Sequence, residues 1–169
     1  YTNVLYTHGY TKFMSKVKNA GIDGLILPDM SIEESKEYLR SAKKNKLDTI
    51  FLVSPNTKNE RLKRIAKAST GFLYMVAVFG TTGVQTKIHK YTIDAIKNAK
   101  KIVGEKTPIG IGFGVSTPAD VKKYVSVGVN GVIVGSANLK IIENTPPSKL
   151  QNKIAKYTKK LKKSTKVNY

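Results

Sequence analysis

The sequence predicts an α/β protein built on parallel strands, and three observations predict it. Short apolar runs of strand length alternate with amphipathic helical stretches at spacings of about 20 to 35 residues. The runs are apolar throughout rather than alternating, which fits strands covered on both faces and so a parallel sheet. Three of them end in glycine-rich loops.

Taken in order, Tyr1–Tyr6 reads as the end of a strand, followed by a helix over Tyr10–Asn19 that Gly21 closes from the C′ position. Gly24–Asp29 (GLILPD) is a strand stopped by Pro28-Asp29. Ser31-Ile-Glu-Glu34 is a capping box, with Ser31 as N-cap, that opens a helix to Asn45 with Tyr38, Leu39 and Ala42 on one face. Thr49–Val53 is the next strand, and a helix over Thr57–Ala68 turns Leu62, Ile65 and Ala66 inward. Phe72–Phe79 is a long apolar strand. A helix over Thr92–Val103 buries Ile93, Ile96 and Ala99. Pro108–Phe113 is a strand, and Thr117-Pro118-Ala119-Asp120 opens a helix with Pro at the favoured first position. Gly131–Val134 is the last strand. Two helices follow, Asn138–Glu143 and Ser148–Lys163. No Pro/Gly/Ser-rich linker interrupts the chain, so residues 1–169 read as a single domain.

Composition narrows the function classes. Apolar residues make up 40% of the 169, enough for a core. No run of about 18 apolar residues offers a membrane span. Cysteine is absent, so no disulfide and no cysteine zinc site can form. No His/Asp/Glu constellation suggests a metal, and His8 and His89 stand apart as surface or turn residues. A cytoplasmic location fits. The formal charge is +19, which raises nucleic-acid binding. Yet only three of the 30 basic residues are Arg, the lysines lie on nearly every helix, and no groove-reading motif occurs. A solvated lysine surface is the better reading; Lys153–Lys166 is its densest stretch.

Periodicity leaves two architectures, an open doubly wound sheet and a (β/α)8 barrel with units missing. The loops favour the barrel. Gly80-Thr81-Thr82-Gly83, Gly112-Phe113-Gly114 and Gly135-Ser136 follow successive strands. The loops after the last two strands of such barrels, with the start of a short extra helix, recur as a phosphate site. Glycine lets backbone N–H groups approach an anion, and a helix start adds partial positive charge. Each glycine alone is a turn; three strand ends with Ser136 and a short helix behind the last point to an anion site.

The segments Leu27-Pro28-Asp29, Phe51-Leu52-Val53-Ser54-Pro55-Asn56, Gly71-Phe72-Leu73-Tyr74, Gly80-Thr81-Thr82-Gly83, Gly112-Phe113-Gly114-Val115-Ser116 and Gly131 to Ala137 together resemble the tryptophan synthase α-subunit family, in order and spacing, over essentially the whole chain. The resemblance implies retro-aldol cleavage of indole-3-glycerol phosphate to indole and glyceraldehyde 3-phosphate. It implies no cofactor in this chain and a partner, the pyridoxal-phosphate β subunit, in an α2β2 complex. By position, Gly83, Gly114, Gly135 and Ser136 would hold the substrate phosphate. Tyr1, Tyr74, Thr82, Phe113 and Ile133 would line the pocket, and Asp29 would lie on a loop facing it. Tyr74 and Phe113 read equally well as barrel-core aromatics, and Thr82 as a turn residue.

The family's two carboxylates, one acid/base and one holding the indole nitrogen, would precede Tyr1. The chain therefore reads as a barrel lacking its first two β/α units, with no catalytic acid of its own. Such a sheet would carry raw edges and tend to associate. The alternatives are a non-catalytic phosphate-binding fragment, another phosphate-substrate barrel enzyme, and, more remotely, a basic nucleic-acid binder.

Overall fold

The structure, a computed structural model, describes residues 1–77 and 90–166. Its strands group as β1-β2 (Gly24–Ile26, Asp48–Ile50) and as β3-β4-β5-β6 (Leu52–Val53, Leu73–Val76, Ile109–Gly112, Gly131–Val132). Both described pairings, β1 with β2 and β5 with β6, are parallel. The chain folds into two compact units. The first comprises residues 1–53, 57–74 and 102–108, the second residues 54–56, 75–101 and 109–169.

In the first unit the opening residues form a helix, α1 (Thr2–His8), where the sequence suggested a strand end. The reason is local. Thr2 and Leu5 are buried one helical turn apart, and Thr7 Oγ1 donates back to Asn3 O at 2.9 Å. A distant carboxylate, Asp29, satisfies the helix's first amide. Helix α2 (Tyr10–Asn19) buries Tyr10, Met14 and Val17 at i, i+4 and i+7, and Gly21 ends it at φ 79° as the sequence indicates.

Strands β1 and β2 pair Gly24 with Asp48 and Ile26 with Ile50. A side chain at Gly24 would place its Cβ 2.8 Å from Asp48 O, so this close approach requires glycine. Helix α3 begins at Lys36 (Lys36–Lys44), not after Ser31. Ser31 does accept from Glu34 N at 3.3 Å, but the Glu34 carboxylate takes the Ser31 hydroxyl at 2.7 Å instead of closing the box on the backbone. The box thus folds a turn, and the helix starts after Ser35, which is nearly fully buried and donates its hydroxyl back to Ile32 O at 2.8 Å instead of capping. Tyr38 packs edge-on to Phe51 at 5.9 Å and donates its hydroxyl to Leu25 O at 3.0 Å, seating α3 against β1.

The expected strand Thr49–Val53 is broken at Phe51 into β2 and β3. Helix α4 (Asn59–Ala68) buries Leu62, Ile65 and Ala66 as its periodicity indicates.

In the second unit α5 (Lys90–Val103) buries Thr92, Ile96 and Ala99, with Thr92 taking the place expected for Ile93. The Thr92 hydroxyl donates to Ala77 O at 2.7 Å, which gives a polar residue a reason to be inside. Helix α6 (Pro118–Ser126) carries a complete capping box between Thr117 and Asp120. Helix α7 (Ser136–Glu143) starts two residues earlier than its apolar pattern shows, and α8 (Pro147–Lys163) closes the chain. No described helix is long and apolar enough to cross a membrane.

Candidate functional site

The second unit brings two glycine strand ends side by side. Parallel pairing sets Gly110 opposite Gly131 and Ile111 opposite Val132, and Ile133 N donates to Ile111 O at 2.7 Å. The two strands therefore finish at one end, where Phe113-Gly114 follows β5 and Gly135-Ser136 follows β6.

The first loop holds an unusual backbone. Phe113 has φ 70° and Gly114 φ 75°. A left-handed conformation is ordinary for glycine but costs a non-glycine residue on the order of 1–2 kcal/mol. Such strain persists only where neighbours impose it, and it concentrates at functional sites. Here the loop is pinned from behind. Asp120 Oδ2 accepts from Ser116 N at 3.1 Å and from Thr117 N at 2.8 Å. Tyr157 of α8 donates its hydroxyl to Ser116 O at 2.7 Å, and Val115 is buried. Burial pushes the Tyr157 hydroxyl pKa above its ordinary value, so it stays a donor at any physiological pH. Phe113 is left 48% exposed at the strand end.

The second loop delivers a helix start. Gly135 is the N-cap of α7, and its carbonyl accepts from Asn138 N at 2.8 Å. Asn138 Nδ2 donates to Val134 O at 3.2 Å, bracing the strand end. No side chain caps α7 and no acid lies in its first turn, while Gly135 and Ser136 are exposed. The start of the helix thus keeps an uncapped partial positive charge beside an exposed Ser136, an arrangement that accepts an anion. The shift of the helix start to Ser136 puts that residue inside the first turn rather than ahead of it.

Of the expected pocket residues, Phe113, Gly114, Ile133, Gly135 and Ser136 all lie in this unit, with Ile133 half-buried beside β5. Gly83 and Thr82 lie outside the described residues, as does His89. Tyr1 and Tyr74 belong to the first unit. Tyr74 sits in β4 with its amide donating to Phe51 O at 3.0 Å. It is only 8% exposed, 6.2 Å from the Phe72 ring, and burial raises its hydroxyl pKa. Tyr1 is the N-cap of α1 and is 77% exposed.

Asp29 accepts Thr2 N at 3.0 Å on each oxygen and the Thr2 hydroxyl at 2.9 Å. Desolvation pushes its carboxyl pKa up, but the hydrogen bonds from Thr2 outweigh that and hold it below the usual carboxylate range. His8 is exposed and folds back on Val4 O. Among the described residues no group of three metal-ligating side chains occurs. Sequence reasoning missed the Asp120 and Tyr157 anchors and the Asp29–Thr2 contact. Thr117-x-x-Asp120 was legible as a helix start, but nothing in the chain order of the other residues shows what they touch.

Parallel strands with helices between them, and two glycine strand ends beside an uncapped helix start, are the strand-end features of a phosphate-binding (β/α)8 barrel. Comparison with known proteins gives the particular family. The family model described as tryptophan synthase alpha chain matches residues 1–167. The tryptophan synthase alpha chain of Pyrococcus abyssi is 41% identical over 142 residues, 84% of this chain and 56% of that one. The Thermococcus kodakarensis alpha chain is 37% identical over 157 residues, 92% of this chain and 62% of that one. A solved structure of the tryptophan synthase α2β2 complex from Pyrococcus furiosus superposes with a TM-score of 0.87 at 36% identity, covering 96% of this chain and 64% of that one. The chain belongs to the tryptophan synthase alpha chain family and spans somewhat under two thirds of the length of these relatives.

Proposed function

We propose that this chain carries the phosphate-binding part of an indole-3-glycerol-phosphate lyase of tryptophan biosynthesis. The observation that carries the reading is the uncapped, acid-free start of α7 beside the strained Phe113-Gly114 turn. In this reading Gly114, Gly135 and Ser136, with Gly83, hold the phosphate through backbone amides and one hydroxyl. Phe113, Ile133, Tyr74, Tyr1 and Thr82 line the rest of the substrate. Retro-aldol cleavage breaks the bond between the indole ring and the glycerol phosphate. It needs a proton delivered to the indole carbon and one removed from the glycerol hydroxyl. No described group in this chain pairs two carboxylates for that work, so the chain on its own binds and does not turn over.

The partner in this reading is the β subunit, which receives the indole; family membership and the α2β2 assembly of the Pyrococcus furiosus relative support it. Cytoplasmic location belongs to the same proposal. So does the reading of residues 1–169 as one domain, supported by the way each compact unit draws on three separate stretches of chain.

Calorimetric titration with inorganic phosphate and with glyceraldehyde 3-phosphate tests the core of it. Saturable binding of both that Ser136→Ala weakens supports the reading. Loss of both signals in the wild-type chain would sink it. A parallel titration with an indole-bearing phosphate ester that showed no preference over inorganic phosphate would move the assignment to another phosphate-substrate barrel. Steeply salt-dependent binding to DNA would revive the basic nucleic-acid reading.

A further inference from the structure

Every residue of α8 is exposed except Leu150, Ile154, Tyr157 and Leu161, which recur at i, i+4, i+7 and i+11 and form a single stripe. Of these Leu161 alone is buried. Three of the four are aliphatic, as packing requires, whereas Tyr157 carries a hydroxyl that packing does not use. That hydroxyl donates to Ser116 O at 2.7 Å, across 41 residues of chain. The contact falls on a peptide that is held from its other end as well. The Ser116 carbonyl and the Thr117 amide belong to one planar unit, and Asp120 Oδ2 accepts from Thr117 N at 2.8 Å. The same carboxylate oxygen accepts from Ser116 N, in the preceding unit, at 3.1 Å. Two consecutive peptide planes are therefore oriented, and with them both dihedrals of Ser116. Upstream, Gly112 ends β5, and its carbonyl accepts from Ala77 N at 2.8 Å. Between these two fixed points lie Phe113, Gly114 and the buried Val115. Phe113 and Gly114 hold φ of 70° and 75°. A left-handed Phe is unfavourable by itself, so the turn keeps this shape only while both of its ends are held. Leucine at 157 would complete the stripe; a hydroxyl aimed at the exit of a strained turn gives α8 a second task.

We propose that Tyr157 is a positioning residue for the phosphate turn, acting through the Ser116 peptide, so that docking of α8 and binding of a phosphate group at Gly114 share one equilibrium; this rests on the phosphate reading above. With the Ser116 carbonyl held, the turn is set before the anion arrives, and binding does not bear the cost of ordering it. Without that hydrogen bond the turn relaxes, and the anion must re-form it. Linkage makes the effect reciprocal: an anion that binds the ordered turn also holds α8 in place through Tyr157.

Two measurements on the full chain, both with inorganic phosphate as the probe, test this. Calorimetric titration is expected to show about tenfold weaker binding in Tyr157→Phe, which keeps the ring in the stripe and removes only the hydroxyl. Hydrogen exchange of the α8 amides is expected to slow by about the same factor when phosphate saturates the wild type, and to change less than about twofold in Tyr157→Phe. A hydroxyl that merely satisfied a carbonyl would lower stability and leave both phosphate affinity and the phosphate response of α8 unaltered. Affinity in Tyr157→Phe within about twofold of wild type, or equal slowing of α8 in both proteins, would therefore overturn the inference. Should the variant fail to fold, exchange in the wild type decides: slowing of α8 by bound phosphate supports the coupling, and its absence overturns it. A wild type that binds no phosphate would instead overturn the phosphate reading, and the inference falls with it.

Discussion

At the scale of single residues, conformation and hydrogen bonding set the most testable expectations. Gly114 adopts φ 75° with open space around its missing side chain, so the only penalty for Gly114→Ala is conformational. It should cost about 1–2 kcal/mol in chemical denaturation and weaken phosphate binding as well. Thr92 is fully buried and its hydroxyl serves Ala77 O. Thr92→Val keeps the shape and strands that carbonyl, at about 1–3 kcal/mol by the same measurement. Asp29 contributes through titration. Its folded pKa is lowered, so the stabilisation from its hydrogen bonds is present above the ordinary aspartate range and is lost as pH falls through the folded value. Wild type and Asp29→Asn should therefore differ in melting temperature at pH 7 and converge in strong acid. A difference that persisted below the folded pKa would show that the lost stability has another origin.

At the scale of elements, α6 does two things with one side chain. Asp120 completes the capping box with Thr117 and also receives Ser116 N, the end of the loop that holds Phe113 and Gly114. Asp120→Ala should lose about 1 kcal/mol of capping and, beyond that, loosen the strained turn. Phosphate affinity should fall further than in Thr117→Ala, which leaves the Ser116 contact available. Equal effects of the two variants on phosphate binding would show that Asp120 acts only as a cap. Helix α8 contributes from the other side through Tyr157, so the turn is held by two elements that lie far apart in sequence. Element types were legible because their signals are local. The i, i+4, i+7 spacing of Tyr10, Met14 and Val17, the Thr117-Pro118 start and the Leu62, Ile65, Ala66 stripe need no knowledge of the rest of the chain. Where the elements differ from expectation, the cause is a partner elsewhere. Asp29 turned the opening residues into a helix, and the Glu34 carboxylate diverted the Ser31 box into a turn.

At the scale of the whole molecule, ligand linkage provides the check. An anion that binds only the folded state stabilises it by about 2.7 kcal/mol at a hundred times its dissociation constant. Phosphate should therefore raise the melting temperature in a concentration-dependent way, and Ser136→Ala should need more phosphate for the same rise. Chloride at equal ionic strength should not substitute, which separates the site from general screening of the +19 charge.

What the sequence by itself determined was the repeat of parallel strand and helix, the glycine strand ends and the family, because apolar period, turn chemistry and motif order are written along the chain. Only the tertiary structure decided that Phe113 is held left-handed, that Asp120 and Tyr157 pin the turn behind it, and that Asp29 caps α1 from 27 residues away. Those are contacts between residues as many as 41 positions apart. A carboxylate or hydroxyl in a sequence shows what it can bond to, and only the fold selects which of its many possible partners comes within reach.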